Sequence, residues 1–312
     1  MRRVLALFAF ALTCLDPSAA AGAEPQVAPW GIYVNYMDKS VKAGDDFFVY
    51  ANGTWLKSME IPSDQATAGA VAEVTKRNEE RLKTIIAELP ANAKPGSAKR
   101  KLRDLYDAFL DEAQIEARGL DPVKGDLDRI ASVKTHVDVA LLMGEPRLAL
   151  SGPFQITIQA SAWNPWYYTV YVYQSGLGLP ERDYYLKEDE FLAKTRDAYR
   201  AYLAQMLGFA GRDDAEARAS RVYDLERAIA ELHWPVADRT LETLFHPMSL
   251  YDLPKLAPGF PWNLYLRAMR VPLQSPIGEL RINVGEKSAF PKLASLFAAT
   301  PPAVWSDYLT VR

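Results

Sequence analysis

The sequence predicts a mainly α-helical protein that carries one small β-hairpin. Apolar residues recur at a spacing of about 3.6 over most of the chain, which is the period of an amphipathic helix. In residues 154–159 apolar and polar residues alternate instead, and residues 167–173 are rich in β-branched and aromatic types, as strands are. Asn164-Pro165 is a turn signal between them, so we expect a hairpin with a long loop.

Length and composition place the chain among globular proteins. It has 312 residues, of which 49% are hydrophobic and 24% charged, enough for a large core or for two domains. The formal net charge is -3, which gives no electrostatic reason to expect nucleic acid as a partner.

The first 23 residues have the features of a secretory signal peptide. Arg2 and Arg3 precede an apolar run at residues 4–15, which is too short to span a bilayer, and small residues at 21–23 form a cleavage site. We expect cleavage after Ala23, export of residues 24–312 to the periplasm or beyond the cell, and no later membrane span. Cys14 lies within the signal, so the mature chain has no thiol. A lipoprotein anchored at Cys14 is the alternative, although Thr13 and Ala11 fit that pattern poorly.

Residues 44–62 contain the densest aromatic stretch. Asp45 or Asp46 is suited to cap a helix, because a short carboxylate accepts bonds from the free N–H groups of the first turn. Phe47 and Trp55 then share one helix face with Ala51. So much apolar area predicts a buried anchor helix on which other helices pack.

The remaining elements follow from periodicity and breakers. We expect a helix over 97–118, closed by Gly119, because glycine accepts the conformation that ends helices. A strand is expected near 280–284. The other predicted helices cover residues 64–89, 122–131, 136–150, 188–208, 213–233, 247–261, 262–269, 290–298 and 302–311.

The last predicted helix presents an apolar face that includes Trp305, Tyr308 and Leu309. The sequence stops there without a glycine or a polar tail. A finished domain usually leaves less apolar surface uncovered, so we expect that face to be bare and further polypeptide to follow.

A search for chemistry finds no catalytic constellation. No two of the three histidines, His136, His233 and His246, stand four residues apart, so the sequence contains no His-Glu-x-x-His helix. Glu231 and His233 are two apart and point to different sides of a helix, so no dyad is expected there. Arg182 is expected to pair with nearby carboxylates. No catalytic, cofactor-binding or metal residue is therefore assigned.

Several motifs resemble, in order, the neprilysin and endothelin-converting-enzyme family of secreted zinc metallopeptidases. The middle one is the most specific, because thirteen consecutive residues, 174–186, fit the family pattern. The motifs are Asp-Asp-Phe-Phe at 45–48 with Asn-Gly-x-Trp-Leu at 52–56, Gly-Leu-Gly-Leu-Pro-x-Arg-Asp-Tyr-Tyr at 176–185, Leu-Glu-x-x-Ile-Ala at 225–230, Pro-Met-Ser-Leu at 247–250 and Trp-x-x-Tyr-Leu at 305–309.

The resemblance implies a zinc endopeptidase that cleaves peptides inside a closed chamber, of the bacterial exported oligoendopeptidase-like type. The family's zinc site belongs to its C-terminal catalytic part, so residues 24–312 resemble the N-terminal domain that caps the chamber, and zinc is implied only for the complete enzyme. The expected partners are peptide substrates and that missing catalytic domain.

There is one departure from the family pattern. The positions where the family's animal members carry an Arg and an Asp that bind the peptide's C-terminal end fall on Thr67 and Ala72. A neutral pair makes no charge-assisted bond to a carboxylate, so no substrate residue is carried over. Two alternatives stay open: a stand-alone exported binding or inhibitory module, and a metal-independent hydrolase that uses His233.

Overall fold

The computed structural model describes residues 33–61, 68–162, 164–271 and 280–312, and divides into two compact units, Met1–Asp111 and Glu112–Arg312. The predicted signal peptide and residues 62–67 lie outside the described residues. The prediction of a mainly α-helical fold is confirmed, and the small β element is a four-stranded sheet.

The N-terminal unit contains three α-helices among its described residues. They follow a short 3-10 helix, Val34–Tyr36, and are α1 (Phe47–Ser58), α2 (Ala70–Ala87) and α3 (Ala98–Leu110). Asp46 caps α1, as predicted, by accepting from the amide of Val49 at 2.9 Å. Ser97 caps α3 in the same way through the amide of Arg100.

The prediction that α1 is a buried anchor is wrong. The side chain of Phe47 is 69% exposed, Phe48 is exposed too, and Gly53 is the buried residue of the helix. Within this unit α1 packs on the segment around the Val34–Tyr36 helix, through a ring contact of 6.1 Å between Trp55 and Tyr36. Helix periodicity specifies which face is apolar, but it does not supply a covering element.

The predicted helix over 97–118 is divided at Asp111, whose ψ of 73° lies outside the helical region. The second part, α4 (Glu112–Arg118), begins the C-terminal unit and ends before Gly119, which has φ +49° as predicted for a terminating glycine. A single amphipathic pattern therefore crosses the boundary between two units.

The C-terminal unit holds the remaining described elements. Its α-helices after α4 are α5 (Lys124–Ala131), α6 (His136–Met143), α7 (Asp183–Leu186), α8 (Glu190–Phe209), α9 (Ala215–Leu232), α10 (Leu253–Leu256), α11 (Trp262–Ala268), α12 (Phe290–Ala299) and α13 (Pro302–Thr310). Its strands are β1 (Phe154–Ala160), β2 (Tyr168–Gln174), β3 (Pro247–Ser249) and β4 (Arg281–Val284).

The sheet has the order β1-β2-β4-β3. The predicted hairpin is confirmed as the antiparallel pair β1–β2, and the predicted strand near 280–284 is β4, which runs parallel to β2. Residues 247–249 are not helical as predicted, because they form β3 against β4, with Pro247 opposite Asn283. Proline is tolerated there because β3 is an edge strand.

The core of this unit lies between the sheet and helices α9, α11, α12 and α13. Aromatic rings in contact form its centre: Phe154 to Trp262 at 4.5 Å, Phe260 to Phe297 at 4.7 Å, and Phe297 to Trp305 at 5.1 Å between centroids.

The prediction that α13 leaves its apolar face bare is wrong. Trp305, Tyr308 and Leu309 are buried, because α13 packs between α5, α6 and α9. The Trp305 indole N–H donates to the carbonyl of Phe297 at 3.1 Å, so its polar atom is also satisfied. The face of α13 formed by Trp305, Tyr308 and Leu309 is therefore part of the core.

Candidate functional site

Residues 174–186, the stretch that carries the most specific motif, leave the end of β2 and form a loop followed by α7. Two buried carboxylates hold the loop: Glu226 from α9, and Glu286 from the turn after β4. Gly176 has φ +106°, a conformation that side-chain-bearing residues rarely adopt, and it lies in this loop.

Glu226 is fully buried and has a polar partner for each carboxylate oxygen. Its Oε2 accepts from the Tyr185 hydroxyl at 2.6 Å and from the Tyr199 hydroxyl at 3.0 Å. Gly178 donates its amide to the same oxygen at 3.3 Å. A Cβ at Gly178 would lie 1.7 Å from the Tyr199 hydroxyl oxygen, so any side chain there would displace that hydroxyl from Glu226.

Arg312 supplies the charge that balances Glu226. Its Nη2 lies 2.7 Å from Oε1 of Glu226 and donates to the carbonyl of Gly176 at 2.9 Å. The Tyr308 hydroxyl donates to the same carbonyl at 3.0 Å, and the guanidinium lies 4.6 Å from the centre of the Tyr308 ring. The loop, α9 and α13 are therefore joined through one charged cluster.

Burial and the nearby Glu226 charge raise the pKa of Tyr185 and of Tyr199 above the usual value. Both phenols therefore stay protonated and act as donors. Because the carboxylate is enclosed and paired, it is not placed to act as a general base, and the arrangement is suited to holding the loop in one conformation.

Glu286 forms a second buried contact at the start of the loop. Its Oε2 accepts from the amide of Gln174 at 2.9 Å, and Nε of Arg239 lies 2.7 Å from its Oε1. The Gln174 side chain in turn accepts from the amide of Trp234 at 2.8 Å. The loop is thereby tied to the segment that follows α9.

A cleft of about 210 Å³ lies beside the loop, with Arg182, His233 and Arg239 in its lining. The prediction that Arg182 pairs with a carboxylate is confirmed by Asp183, whose Oδ1 lies 3.8 Å from Nη1. Nε of Arg182 donates to the carbonyl of Ala230. Since both arginines already have partners, the cleft is a polar indentation and not a free cationic site.

Each of the three histidines contacts a backbone carbonyl. Nε2 of His233 lies 3.1 Å from the oxygen of Ser175, Nε2 of His136 lies 2.9 Å from that of Thr300, and Nδ1 of His246 lies 2.9 Å from that of Gly285. Because a carbonyl only accepts, each of these nitrogens must carry a hydrogen, and in the neutral ring the other nitrogen is an acceptor. Burial lowers the pKa of His233 to about 4, which keeps its ring neutral.

The residues present do not fit a zinc ion. Across residues 33–61, 68–162, 164–271 and 280–312, no group of three or more His, Cys, Asp or Glu side chains is placed to hold a metal. Glu231 is paired with Arg227 on the surface of α9, while His233 is buried, so the two form no dyad. Ala72 lies in α2, and Thr67 is outside the described residues.

The charged cluster was not anticipated from the sequence. Glu226 is the one carboxylate in the motif Leu-Glu-x-x-Ile-Ala, on a helix turn where Val222 and Ile229 are fully buried. An acidic residue on the apolar stripe of a helix is a signal for a buried, paired charge. Its partner Arg312 lies 86 residues further along, where no sequence rule connects the two.

Residues 43–312 match peptidase family M13. The chain belongs to this family, as the neprilysin-like motifs predicted, and corresponds to its N-terminal domain. It is 27% identical over 292 residues to endothelin-converting enzyme-like 1 of Rattus norvegicus, an alignment covering 88% of this chain and 37% of that protein. Endothelin-converting enzyme 1 of the same species is 27% identical over 287 residues, with the same coverage of each.

Solved structures show the same relationship. The zinc metalloprotease Zmp1 of Mycobacterium tuberculosis superposes with a TM-score of 0.72 at 28% identity, covering 89% of this chain and 43% of that one. PepO of Lactobacillus rhamnosis, at 18% identity and a TM-score of 0.64, shares the fold. The chain thus spans about two fifths of the length of the M13 proteins it matches. None of the helices within the described ranges is long and apolar enough to cross a membrane.

Proposed function

We propose that this chain is the N-terminal, substrate-enclosing portion of an exported zinc metalloendopeptidase that acts on peptides. The observation that carries the proposal is the match of residues 43–312 to family M13, together with relatives that include a zinc metalloprotease of more than twice the matched length. Export rests on the signal-like residues 1–23.

This proposal assigns the zinc and its ligands to polypeptide outside the chain. The chain's own contribution is enclosure, for which a rigid loop at 174–186, held by Glu226 and Glu286, is suited.

The first experiment measures zinc content and peptide hydrolysis on the purified chain alone. We expect neither stoichiometric zinc nor cleavage of a mixed peptide library. Zinc near one ion per chain, or cleavage that a chelator abolishes, would overturn the assignment of the catalytic centre to another polypeptide.

The second experiment supplies the catalytic part. The reading frame beyond the codon for Arg312, or a neighbouring frame, is expected to encode a His-Glu-x-x-His sequence. Co-expression of that polypeptide with this chain should give chelator-sensitive peptidase activity that neither part has by itself.

The second candidate is a stand-alone exported binding or inhibitory module. The observation that favours it is a hydrophobic core within the C-terminal unit, in which Trp305 and Leu309 are buried, since a unit with its own core is suited to fold independently. No encoded His-Glu-x-x-His sequence near this gene, combined with a well-folded monomeric product, would decide for the module and against the peptidase portion.

The hydrolase that uses His233 has no support in the site. The ring is buried and neutral, and it donates to a backbone carbonyl. No exposed nucleophile is hydrogen-bonded to it among the described residues.

A further inference from the structure

Strand β1 lies at one edge of the sheet, and its second side faces no other strand of the described chain. The pairing pattern shows which backbone groups lie on that side. The amide of Ser161 donates to the carbonyl of Tyr167 at 2.8 Å, and the amide of Ser175 donates to that of Pro153 at 3.0 Å. Residues of odd number in β1 therefore hydrogen-bond to β2, since the pattern alternates along an antiparallel pair.

The N–H and C=O groups of even-numbered residues point away from β2. The carbonyl of Phe154 accepts from the Tyr265 hydroxyl at 3.2 Å. No described residue pairs with the outward backbone groups of Ile156, Ile158 or Ala160. These three positions are spaced by about 6.8 Å, which is the repeat of an extended chain.

The two edges of the sheet differ in their protection. β3 is three residues long and begins with Pro247, and both features disfavour pairing with another chain. β1 has seven residues, Phe-Gln-Ile-Thr-Ile-Gln-Ala, with no charge, no proline and no glycine. An edge of this kind is a template for strand addition unless something occupies it.

The surroundings of β1 suit a peptide of limited length. At its start the edge opens into a cleft of about 310 Å³ whose lining includes Ser151, Phe154, Ile156 and Tyr265. Near the hairpin, Ile158 is 62% exposed and Tyr168, on the same face, is 80% exposed. An added strand would place alternate side chains on this apolar surface, and the intervening ones beside Gln155, Thr157 and Gln159.

We propose that the free edge of β1 binds an extended peptide by strand addition, with alternate apolar side chains facing Ile158 and Tyr168. This inference rests on the proposed function, in which peptides are the substrates. A peptide is favoured over β1 of a second copy because the cleft at 151–156 has room for a chain end, whereas β1 of another copy continues into folded chain at both ends.

The test uses the full chain and the soluble peptide Lys-Val-Thr-Val-Thr-Val-Lys, with amide hydrogen exchange followed residue by residue. Saturating peptide should slow exchange at Ile156, Ile158 and Ala160 by about tenfold or more, because these amides gain acceptors. Exchange at Thr157 and Gln159 should change little, since β2 already protects them. Equal exchange with and without the peptide would overturn the proposal.

Two comparisons test the backbone pairing itself. Two forms of the peptide carry N-methyl groups on alternate amides. The form whose methylated amides face β1 should lose binding, and the form whose methylated amides face away from β1 should keep it. Ile158→Pro removes an outward N–H and leaves the bonds to β2, so it should weaken binding about tenfold or more, whereas Ile158→Val keeps the N–H and should stay within about twofold. Near-ultraviolet circular dichroism checks that each variant folds.

Each other outcome also decides the matter. Equal binding by the two Ile158 variants, or by both N-methylated registers, places the peptide elsewhere. If light scattering shows that the wild type is a dimer and that Ile158→Pro is a monomer, the edge binds a second copy of the chain. This result would overturn the proposal that it binds a peptide. Failure of the reconstituted peptidase to cleave any peptide would overturn the proposed function. That failure is measured as peptidase activity, so it is distinguishable from a failure of the peptide to slow hydrogen exchange at β1.

Discussion

The two units of the chain contain amphipathic helices of similar pattern, yet they differ in what covers the apolar face. In the N-terminal unit, helices α2 and α3 contain no buried residue, and Leu105 is 70% exposed. In the C-terminal unit, α9 packs against α8, α12 and α13, and both α9 and α12 bury most of their apolar residues. The comparison teaches that periodicity identifies the apolar face of a helix, while burial depends on partners that a local pattern does not name.

The largest difference between the units is expected for tryptophan removal. Trp305→Ala deletes a fully buried ring that contacts Phe297 and Tyr308, and it should lower the free energy of unfolding by about 3–5 kcal/mol. Trp55→Ala removes a half-buried ring and should cost about 1 kcal/mol. Urea unfolding followed by circular dichroism measures both, and equal costs would contradict the contrast.

The pH dependence of stability should come partly from the C-terminal unit, through His233. Its pKa is about 4 in the folded chain and about 6.5 when unfolded, so below pH 6.5 the unfolded state binds more protons. This contribution, up to about 3 kcal/mol, is present above pH 6.5 and is lost as the pH falls to 4.

The matched variant is His233→Gln, which keeps a donor for the Ser175 carbonyl and removes the titration. Urea midpoints between pH 7 and pH 4 should fall less steeply in this variant than in the wild type. Parallel slopes would show that the ring is not held neutral.

For substitution of glycine by alanine, the larger loss of stability is expected in the N-terminal unit. A Cβ at Gly53 of α1 would lie 2.6 Å from the Cβ of Asp38, so Gly53→Ala should cost about 1–3 kcal/mol even in the sparsely packed unit. Gly208 of α8 has open space around it, so Gly208→Ala should raise stability by about 0.5 kcal/mol. Thermal melts of the two variants should therefore shift in opposite directions.

The smallest effect is expected for exposed apolar residues of α3. Leu105→Gln should change the free energy of unfolding by no more than about 0.5 kcal/mol and should lower the binding of a hydrophobic dye. The control is Leu293→Gln in α12, which places a polar group in the core and should destabilise by several-fold more. A large cost at Leu105 would show that α3 is covered in solution.

Features that depend on neighbouring residues were predictable from the sequence. Asp46 caps α1, Gly119 ends α4, and Asn164-Pro165 lies in the hairpin loop. These signals act over a few residues, so the local sequence is sufficient to specify them.

Features that depend on distant residues were not predictable. The exposure of Phe47 and the burial of Trp305 were both expected the other way round, because each depends on which elements pack nearby. The cluster around Glu226 joins Tyr185, Tyr199 and Arg312, which lie in three other parts of the sequence. The family motifs marked these stretches without indicating that they meet.

The parallel pairing of β2 with β4 has a consequence for synthesis of the protein. Val170 lies opposite Ile282, 112 positions later in the sequence, and β3 reaches the sheet only through β4. Synthesis must therefore proceed beyond residue 284 before β2 and β4 can pair, and until then the β1–β2 hairpin has no strand on either side. We expect chaperones that shield nascent chains to act during this interval, since loop closure over such a distance is slow.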